Sequence, residues 1–540
     1  MKIRLLVIII ILVTLLGGCG KIGKPFIEAD INQKGTRLNI PNASFEDGNS
    51  FTGESISVSD ESYYGEKGLK IAGGAMAQIE IPVTDDVQKQ LLCVSSYVYL
   101  DNADSAEISM EVYADGKYHL ARSAETSEKD KWIFLKTEYT GMAYEDVDIE
   151  KIRISIKAEG GDVYADLVEA GDYQAINGHL PKMAMIAYQP WYESEENGWG
   201  NWQYTAASVH GGENSYPSQI VDGYRKIASV DYPLIGVYDS SDEEVINYHV
   251  KFIKAMNIDV IQVNYYANLN LAMLDTFEKL VDACEREDMK ISILYEPKIH
   301  LNGWIHHDTR DEAILAIEQD IKDFLDKYRD SKALLQYDGV PVIEIFGVNQ
   351  LRNVEWMQIK SNLARDGYLF YLMGDVVGPG DMSSMLGMFQ WSLYQDDLMS
   401  AGISEIEAYS AQNNSIVLNW SQGNYRRVPI GLVYPGFDDS KVLGWDLGTA
   451  RKIEKTGAEF YNAAWDGFET FQDEFGWILI ATFNDWNEGT VIEPKINDDY
   501  ELAIITQERV AEFKGIDGYN ASRLYEITDE YMKNRKNKYD

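Results

Sequence analysis

Gly476-Trp477-Ile478-Leu479-Ile480-Ala481-Thr482-Phe483-Asn484-Asp485-Trp486-Asn487-Glu488-Gly489-Thr490, continued by Val491-Ile492-Glu493-Pro494, reads as an apolar strand running into an acid-bearing loop. The apolar run does not alternate with polar residues. A strand buried on both faces has this pattern, as in a parallel sheet covered by helices. Similar runs recur upstream at 183–188, 258–265, 290–296, 340–346, 368–375, 384–391 and 428–434. Helical periodicity falls between them, as over 242–256, 271–287 and 311–328. About eight such strand–helix units over about 340 residues predict an α/β fold, a TIM (β/α)8 barrel with insertions. An open doubly wound sheet is the rival. It usually carries a glycine-rich phosphate loop after its first strand. Here Tyr188-Gln189-Pro190-Trp191-Tyr192 stands in that place and cannot cradle a phosphate.

Before the barrel the rhythm is different. Short alternating segments at 77–82, 92–100, 107–113, 132–139 and 151–158 are punctuated by Asp115-Gly116 and Gly160-Gly161. Regular short strands with turn residues between them predict an all-β sandwich over 37–173. A linker is expected over 171–181, the barrel over 181–518 and a charge-rich helical tail over 519–540. The segments Asn42-Ala43-Ser44-Phe45-Glu46-Asp47-Gly48 and Val163-Tyr164-Ala165-Asp166-Leu167 resemble the first and last strands of jelly-roll carbohydrate-binding modules. Tyr97, Tyr99, Tyr113 and Trp132 could line a binding face or fill a core, and the sandwich reads equally as a spacer.

The first residues read as an address. Lys2 and Arg4 precede an apolar run over 5–16, then Leu16-Gly17-Gly18-Cys19. The run falls short of the ~20 apolar residues of a comfortable membrane span. The layout is that of a secretory signal peptide over 1–19, and its end resembles a bacterial lipobox. Cys19 is then expected to carry lipid, with 20–36 as a tether and the protein held to the membrane outside the cytoplasm. Of the three cysteines, Cys93 and Cys284 remain, in different predicted domains and without zinc-type spacing. His306 and His307 are adjacent but have no acidic or sulfur partner at ligand spacing, so no metal is expected. The net charge of −39 argues against nucleic acid and polyanions, whose recognition requires basic patches. A neutral ligand fits better, and 35 Tyr and 12 Trp suit the apolar faces of sugar rings.

In a barrel the reacting groups come from the C-terminal ends of strands. Those ends offer Tyr188, Trp191, Asn264, Tyr265, Tyr266, Glu296, Asp375, Gln390, Trp391, Tyr434, Asn484, Asp485, Trp486 and Glu488. Carboxylates among aromatics describe a saccharide site. No serine nucleophile elbow, Cys–His pairing or cofactor motif competes, and no cofactor is expected. Glycoside cleavage needs one carboxyl to protonate the leaving oxygen and a second to act on the other side of the bond. Asp485 and Glu488 could supply both. Acids just after a strand also cap helices, and spacing alone does not choose between the two roles. Asp438 and Asp439 read equally as substrate contacts or turn residues, His249 as core, and Asp242 as a helix cap.

Several stretches, in order, resemble glycoside hydrolase family 99, the endo-α-mannosidases and endo-α-mannanases. The family's Trp-Asn-Glu-Trp-His-Glu-Gly-Thr followed by Ile-Glu is similar to Phe483-Asn484-Asp485-Trp486-Asn487-Glu488-Gly489-Thr490 followed by Ile492-Glu493. The segment from Tyr232 to Asp242, Glu296-Pro297 and Pro435-Gly436-Phe437-Asp438-Asp439 resemble other family segments, and the likeness covers most of residues 183–515. The resemblance implies a retaining, endo-acting α-glycosidase acting on a mannose-containing glycan. By it, Asp485 would take the proton of the sugar's own 2-hydroxyl, Glu488 would be acid and base, and Glu296 would hold substrate hydroxyls. Two positions depart from the pattern. Asp485 replaces Glu, shortening the reach by ~1.5 Å where ~1 Å of misplacement can cost about a hundredfold. Phe437 replaces Tyr. Two other readings stay open: a lipoprotein that only captures polysaccharide, and a hydrolase of another α-glycan using ordinary two-carboxylate chemistry.

Overall fold

The computed structural model describes residues 38–536, apart from 64–65, 85–91, 115, 130–131, 139–148, 173–181, 302–303, 338–339, 376–383, 392–397, 422–427, 446–447, 455, 497–499 and 517. The expected leader, Cys19 and the tether lie outside the described residues, as does most of the expected linker. The chain divides into two compact units, residues 1–178 and 179–540. Among the described residues no helix is long and apolar enough to cross a membrane.

The first unit is two antiparallel sheets. β1 (Ile56–Ser59), β2 (Gly68–Ile71), β3 (Met76–Pro82), β4 (Leu92–Asp101), β5 (Ser105–Ala114), β6 (Lys117–Thr126), β7 (Trp132–Glu138), β8 (Lys151–Glu159) and β9 (Asp162–Asp172) follow in order. They assort as β1-β2-β9-β4-β7 and β3-β8-β5-β6. Strict alternation explains the sandwich. Ala106, Ile108, Met110 and Val112 of β5 are buried, as are Ile152, Ile154 and Ile156 of β8, while their neighbours face outward. Sequence reading passed over β1, β2 and β6. β6 lies at a sheet edge with both faces partly wet, so its sequence lacks an apolar face to read. The four aromatics singled out above divide between the sheets. Tyr113 lies on the four-stranded sheet beneath Lys151. Tyr99 lies on the other sheet, in register with Trp132 on one side and Tyr164 on the other.

The second unit is a closed barrel. Its chain runs β10 (Met183–Tyr188), a small ribbon of β11 (Ile220–Val221) and β12 (Tyr224–Arg225), α1 (Glu243–Ala255), β13 (Val260–Tyr265), α2 (Leu271–Glu287), β14 (Lys290–Tyr295), α3 (Lys298–Leu301) and α4 (Arg310–Tyr328). It continues with β15 (Gln336–Tyr337), β16 (Val340–Ile345), α5 (Asn353–Arg365), β17 (Tyr371–Asp375), β18 (Gly387–Phe389), α6 (Ile403–Ser421), β19 (Val428–Val433), α7 (Ala458–Glu469), β20 (Trp477–Ile480), α8 (Glu501–Lys514) and α9 (Ala521–Asn534). Eight parallel strands run β14-β13-β10-β20-β19-β18-β17-β16, and β14 pairs β16 to close the ring. β15 only flanks β16, antiparallel.

Local chemistry starts the helices, at Asp242 as the sequence suggests and at two further caps. Asp242 accepts the Glu244 N–H at 2.8 Å and caps α1. Asn270 caps α2, and Thr309 with Glu312 forms a capping box on α4. Period-two alternation sorts each barrel strand into ring interior and helix contact. The Tyr265 ring packs outward on Phe277 of α2 and Phe324 of α4, at 5.4 and 5.6 Å. Asn264 therefore points inward. Burying a ring such as Phe277 contributes about 2–3 kcal/mol. The charge-rich tail joins this unit rather than trailing from it. In α9, Leu524 and Ile527 are buried, Tyr531 stacks on Tyr248 of α1 at 4.8 Å, and Thr528 bonds the Tyr248 hydroxyl at 3.1 Å.

Candidate active site

β20 ends at Ile480, earlier than its apolar run suggests, because Thr482 turns the chain on itself. The Thr482 N–H donates to the Thr490 carbonyl at 2.8 Å, and its hydroxyl accepts the Asp485 N–H at 2.8 Å. Most side chains of the following loop are spent on anchoring it. Asn484 clamps the end of β10, accepting the Gln189 N–H at 2.7 Å and donating to the Gln189 carbonyl at 3.0 Å. Asn487 donates to the Asn201 and Ala228 carbonyls, each at 2.9 Å. Trp486 is fully buried and its Nε1 donates to Tyr238 Oη and Glu493 Oε2, both at 3.2 Å. The buried Glu493 also accepts the Tyr238 hydroxyl at 2.8 Å and pairs with His249 Nε2 at 3.2 Å.

Asp485 and Glu488 are not spent this way. Asp485 Oδ1 accepts the Glu488 N–H at 3.1 Å, and Oδ2 accepts Gln189 Nε2 at 3.2 Å. Asp485 is 3% exposed, and the Glu488 side chain keeps 16%. Burial first, and then the Glu488 charge, push the Asp485 carboxyl well above the usual carboxylate range. Burial also pushes Glu488 up, while the Arg451 guanidinium and the Trp445 N–H pull it back. Two carboxyls in unlike surroundings can hold different protonation states, which acid–base chemistry requires.

The opposite wall comes from β13 and β14. Glu296 Oε1 accepts Asn264 Nδ2 and the Tyr266 hydroxyl, each at 3.0 Å, and Lys298 Nζ lies 2.5 Å from Oε2. The Tyr266 hydroxyl is held in its neutral form by burial and then by Glu296, with Asp485 and Glu488 adding to the effect. Lys298 in turn draws Glu488 down. These mutual influences put the two groups of residues within electrostatic reach of one another. The exposed Trp304 packs edge-on to Tyr266 at 5.5 Å, and Trp191 edge-on to Trp445 at 6.4 Å. Gln390 is buried and its Oε1 has no hydrogen bond among the described residues. Trp391 sits half-buried against Phe346 at 5.5 Å.

Five expected substrate contacts are corrected. Tyr188 is fully buried and its hydroxyl is bonded to His249 Nδ1 at 2.9 Å. Tyr265 faces the helices, and Tyr434 is buried against Phe460 at 5.2 Å. Asn484 and Trp486 anchor the loop. Tyr188, Tyr265 and Tyr434 lie at strand ends, which present alternate residues inward and outward, while Asn484 and Trp486 belong to a loop that needs its own supports. Phe437 is likewise placed in support: it is 2% exposed and the Arg451 guanidinium lies 4.9 Å over its ring. Asp438 pairs with Lys452 at 2.9 Å and accepts the Ser440 N–H in its own turn, while Asp439 holds Arg451. A cavity of about 220 Å³ lined by Asp438, Lys452, Gly489 and Lys495 includes neither acid in its lining.

Gln189, Lys298, Trp304, Trp445 and Arg451 were missed by sequence reading. Lys298 could have been found two residues beyond Glu296, but Trp445 and Arg451 come from a distant loop with no pattern of its own. Cys93 and Cys284 are both buried, on β4 and α2, and among the described residues no cluster of three or more His, Cys, Asp or Glu could hold a metal ion.

Comparison with known proteins adds three findings. The model of glycosyl hydrolase family 99 matches residues 179–505. The rat (Rattus norvegicus) glycoprotein endo-alpha-1,2-mannosidase is 22% identical over 57% of this chain and 67% of its own length. The solved structure of the endo-alpha-mannosidase of the same family from Bacteroides thetaiotaomicron is 20% identical, covering 62% of this chain and 99% of its own, with a TM-score of 0.49.

Proposed function

The chain belongs to glycosyl hydrolase family 99 and is a glycoside hydrolase, and from that premise we propose that it cleaves an α-mannose-containing glycan internally, with retention, using Asp485 and Glu488. One observation carries the reading. Both acids lie on one loop after β20, the Asp485 carboxyl accepting the Glu488 N–H, within the electrostatic reach of Tyr266 and Lys298, which hold Glu296.

In this reading Asp485 takes the proton from the sugar's 2-hydroxyl, and that oxygen forms a bond to the anomeric carbon. The glycosidic C–O bond breaks as Glu488 gives its proton to the departing oxygen. Water then attacks the anomeric carbon, losing its proton to Glu488, while the bond from the 2-oxygen breaks and Asp485 returns its proton. Burial raises the proton affinity of Asp485, so that once ionised it is a stronger base for the 2-hydroxyl. Glu296, with one oxygen on Tyr266 and Asn264, presents a fixed acceptor to sugar hydroxyls.

The test is product analysis on yeast mannan and a panel of other α-glycans. Internal cleavage with retained configuration, resistance of 2-deoxy substrates, and loss of cleavage in both Asp485→Asn and Glu488→Gln are expected. Binding without release of reducing ends by the wild type would establish capture instead. Ready cleavage of 2-deoxy substrates would establish ordinary two-carboxylate chemistry.

Two parts of the setting belong to the same proposal. The row Tyr164–Tyr99–Trp132 crosses neighbouring strands with ring centroids 6.4 and 5.7 Å apart, a repeat close to that of sugar rings in a chain, and serves as a glycan platform. Trp132→Ala and Tyr99→Ala should each weaken retardation in mannan-containing gels; unchanged mobility would refute the platform. The protein is anchored outside the cytoplasm through lipid on Cys19, on the reading of residues 1–19. Cys19→Ala should release it from the membrane fraction.

A further inference from the structure

Among the described residues, Glu488 is approached on one oxygen only. Trp445 Nε1 donates to Glu488 Oε1 at 2.9 Å, and Arg451 Nη2 lies 3.7 Å from the same oxygen. Among the described residues no hydrogen bond or ion pair reaches Oε2. Arg451 does not owe its place to Glu488. Its Nε donates to Asp439 Oδ2 and its backbone N–H to Asp439 Oδ1, both at 2.6 Å, and the Asp439 N–H returns a bond to the Arg451 carbonyl at 3.0 Å. Asp439 is fully buried, and the Phe437 ring supports the guanidinium from below. The same loop grips the acid's backbone, since the Asp438 N–H donates to the Glu488 carbonyl at 2.8 Å.

We infer that Arg451, fixed by Asp439 and Phe437, is a positioning residue that acts with Trp445 to hold Glu488 Oε1 and leave Oε2 as the oxygen that gives and takes the proton. This rests on the proposed role of Glu488 as acid and base. A carboxyl doing both must be neither too strong nor too weak an acid. The charged and titratable groups that face it are Arg451 and Asp439 from its supporting loop, Asp485 from its own, Lys298 from α3 and the Tyr266 hydroxyl beyond β13. Burial raises Glu488, and Arg451 is the largest influence opposing it. The arrangement keeps Glu488 from holding its proton too tightly to give it to the leaving oxygen in the first step.

The experiment measures kcat/KM against pH for Arg451→Gln, Arg451→Lys, Trp445→Phe and Glu488→Gln on yeast mannan and on an α-mannobiosyl fluoride. Fluoride leaves without needing a proton. Arg451→Gln should lower kcat/KM on mannan at least tenfold and shift the alkaline limb upward by about one pH unit, the least expected for loss of a close opposite charge. The loss on the fluoride should stay below threefold. Arg451→Lys should restore most of both, and Trp445→Phe should shift the limb in the same direction by less. An unmoved limb in Arg451→Gln, or equal losses on both substrates, overturns the inference while Glu488→Gln still shows a mannan-specific defect. If Glu488→Gln cleaves mannan normally, the reading of Glu488 fails, and this inference with it. Asp439→Asn, which keeps an acceptor for the Arg451 backbone, provides a folded variant expected to move the limb less than Arg451→Gln does.

Discussion

The Glu488 N–H donates to Asp485 Oδ1 at 3.1 Å, so one proposed catalytic acid is held by the backbone of the other. Their three-residue spacing is thus a structural device as well as a chemical one. Shifting either acid by one residue would break the bond that sets the orientation of Asp485.

Asp485→Asn tests the separation of geometry from chemistry. The amide oxygen can still accept the Glu488 N–H, so the loop should keep its shape. Losing the base should lower kcat/KM by roughly 10²–10⁴-fold. Because Asp485 is buried beside a second carboxylate, the variant should melt higher than the wild type near neutral pH. A variant that is both inactive and less stable would count against this account.

Glu344 titrates inside the barrel. It is fully buried on β16, accepts a bond from the Ser292 hydroxyl, and burial pushes it up from 4.5 to about 7. The folded protein therefore holds a proton that the unfolded chain has released. Stability linked to this group is complete below pH 4.5 and is lost as pH rises towards 7, by about 3 kcal/mol in all. Glu344→Gln should leave the melting temperature unchanged near pH 4 and raise it at pH 8. A pH-independent change would show that Glu344 is not the titrating group.

Glu493 gathers three donors, from Tyr238, Trp486 and His249. Glu493→Gln places an N–H where a donor already points. It should destabilise by roughly 2–4 kcal/mol, the range for disrupting a buried charged network. It should also lower kcat, because Trp486 supports the loop between the two acids. Equilibrium denaturation together with kinetics would measure both.

Glu296→Gln should chiefly weaken substrate binding. The amide oxygen can still accept from Asn264 and Tyr266, but Lys298 loses its charge partner. KM for an oligosaccharide should rise about tenfold, roughly one charged hydrogen bond, with a smaller change in kcat. A loss confined to kcat would move Glu296 into the chemical step.

The barrel was legible because its strands are buried on both faces. Met183–Tyr188 and the helix Leu271–Glu287 have the bounds their patterns predict, and the other strands differ at their ends. Strand ends were harder to read. The apolar run after β20 continues to Phe483, yet the hydrogen bonds of Thr482 go to its own loop. The wet edge strand β6 was invisible for want of an apolar face.

The residues themselves determined the fold class and supplied the two acids, because burial periodicity and a strand-to-acid junction are local patterns within a single stretch of chain. Only the tertiary structure decided how neighbouring aromatics are used, bonding Tyr266 to Glu296 and placing Tyr188, Tyr265 and Trp486 in packing. It alone brought Gln189 to Asp485, and Trp445 and Arg451 to Glu488. The cause is physical: a side chain's direction depends on strand register and ring closure, and a carboxyl's proton affinity depends on charges contributed by segments far away in sequence.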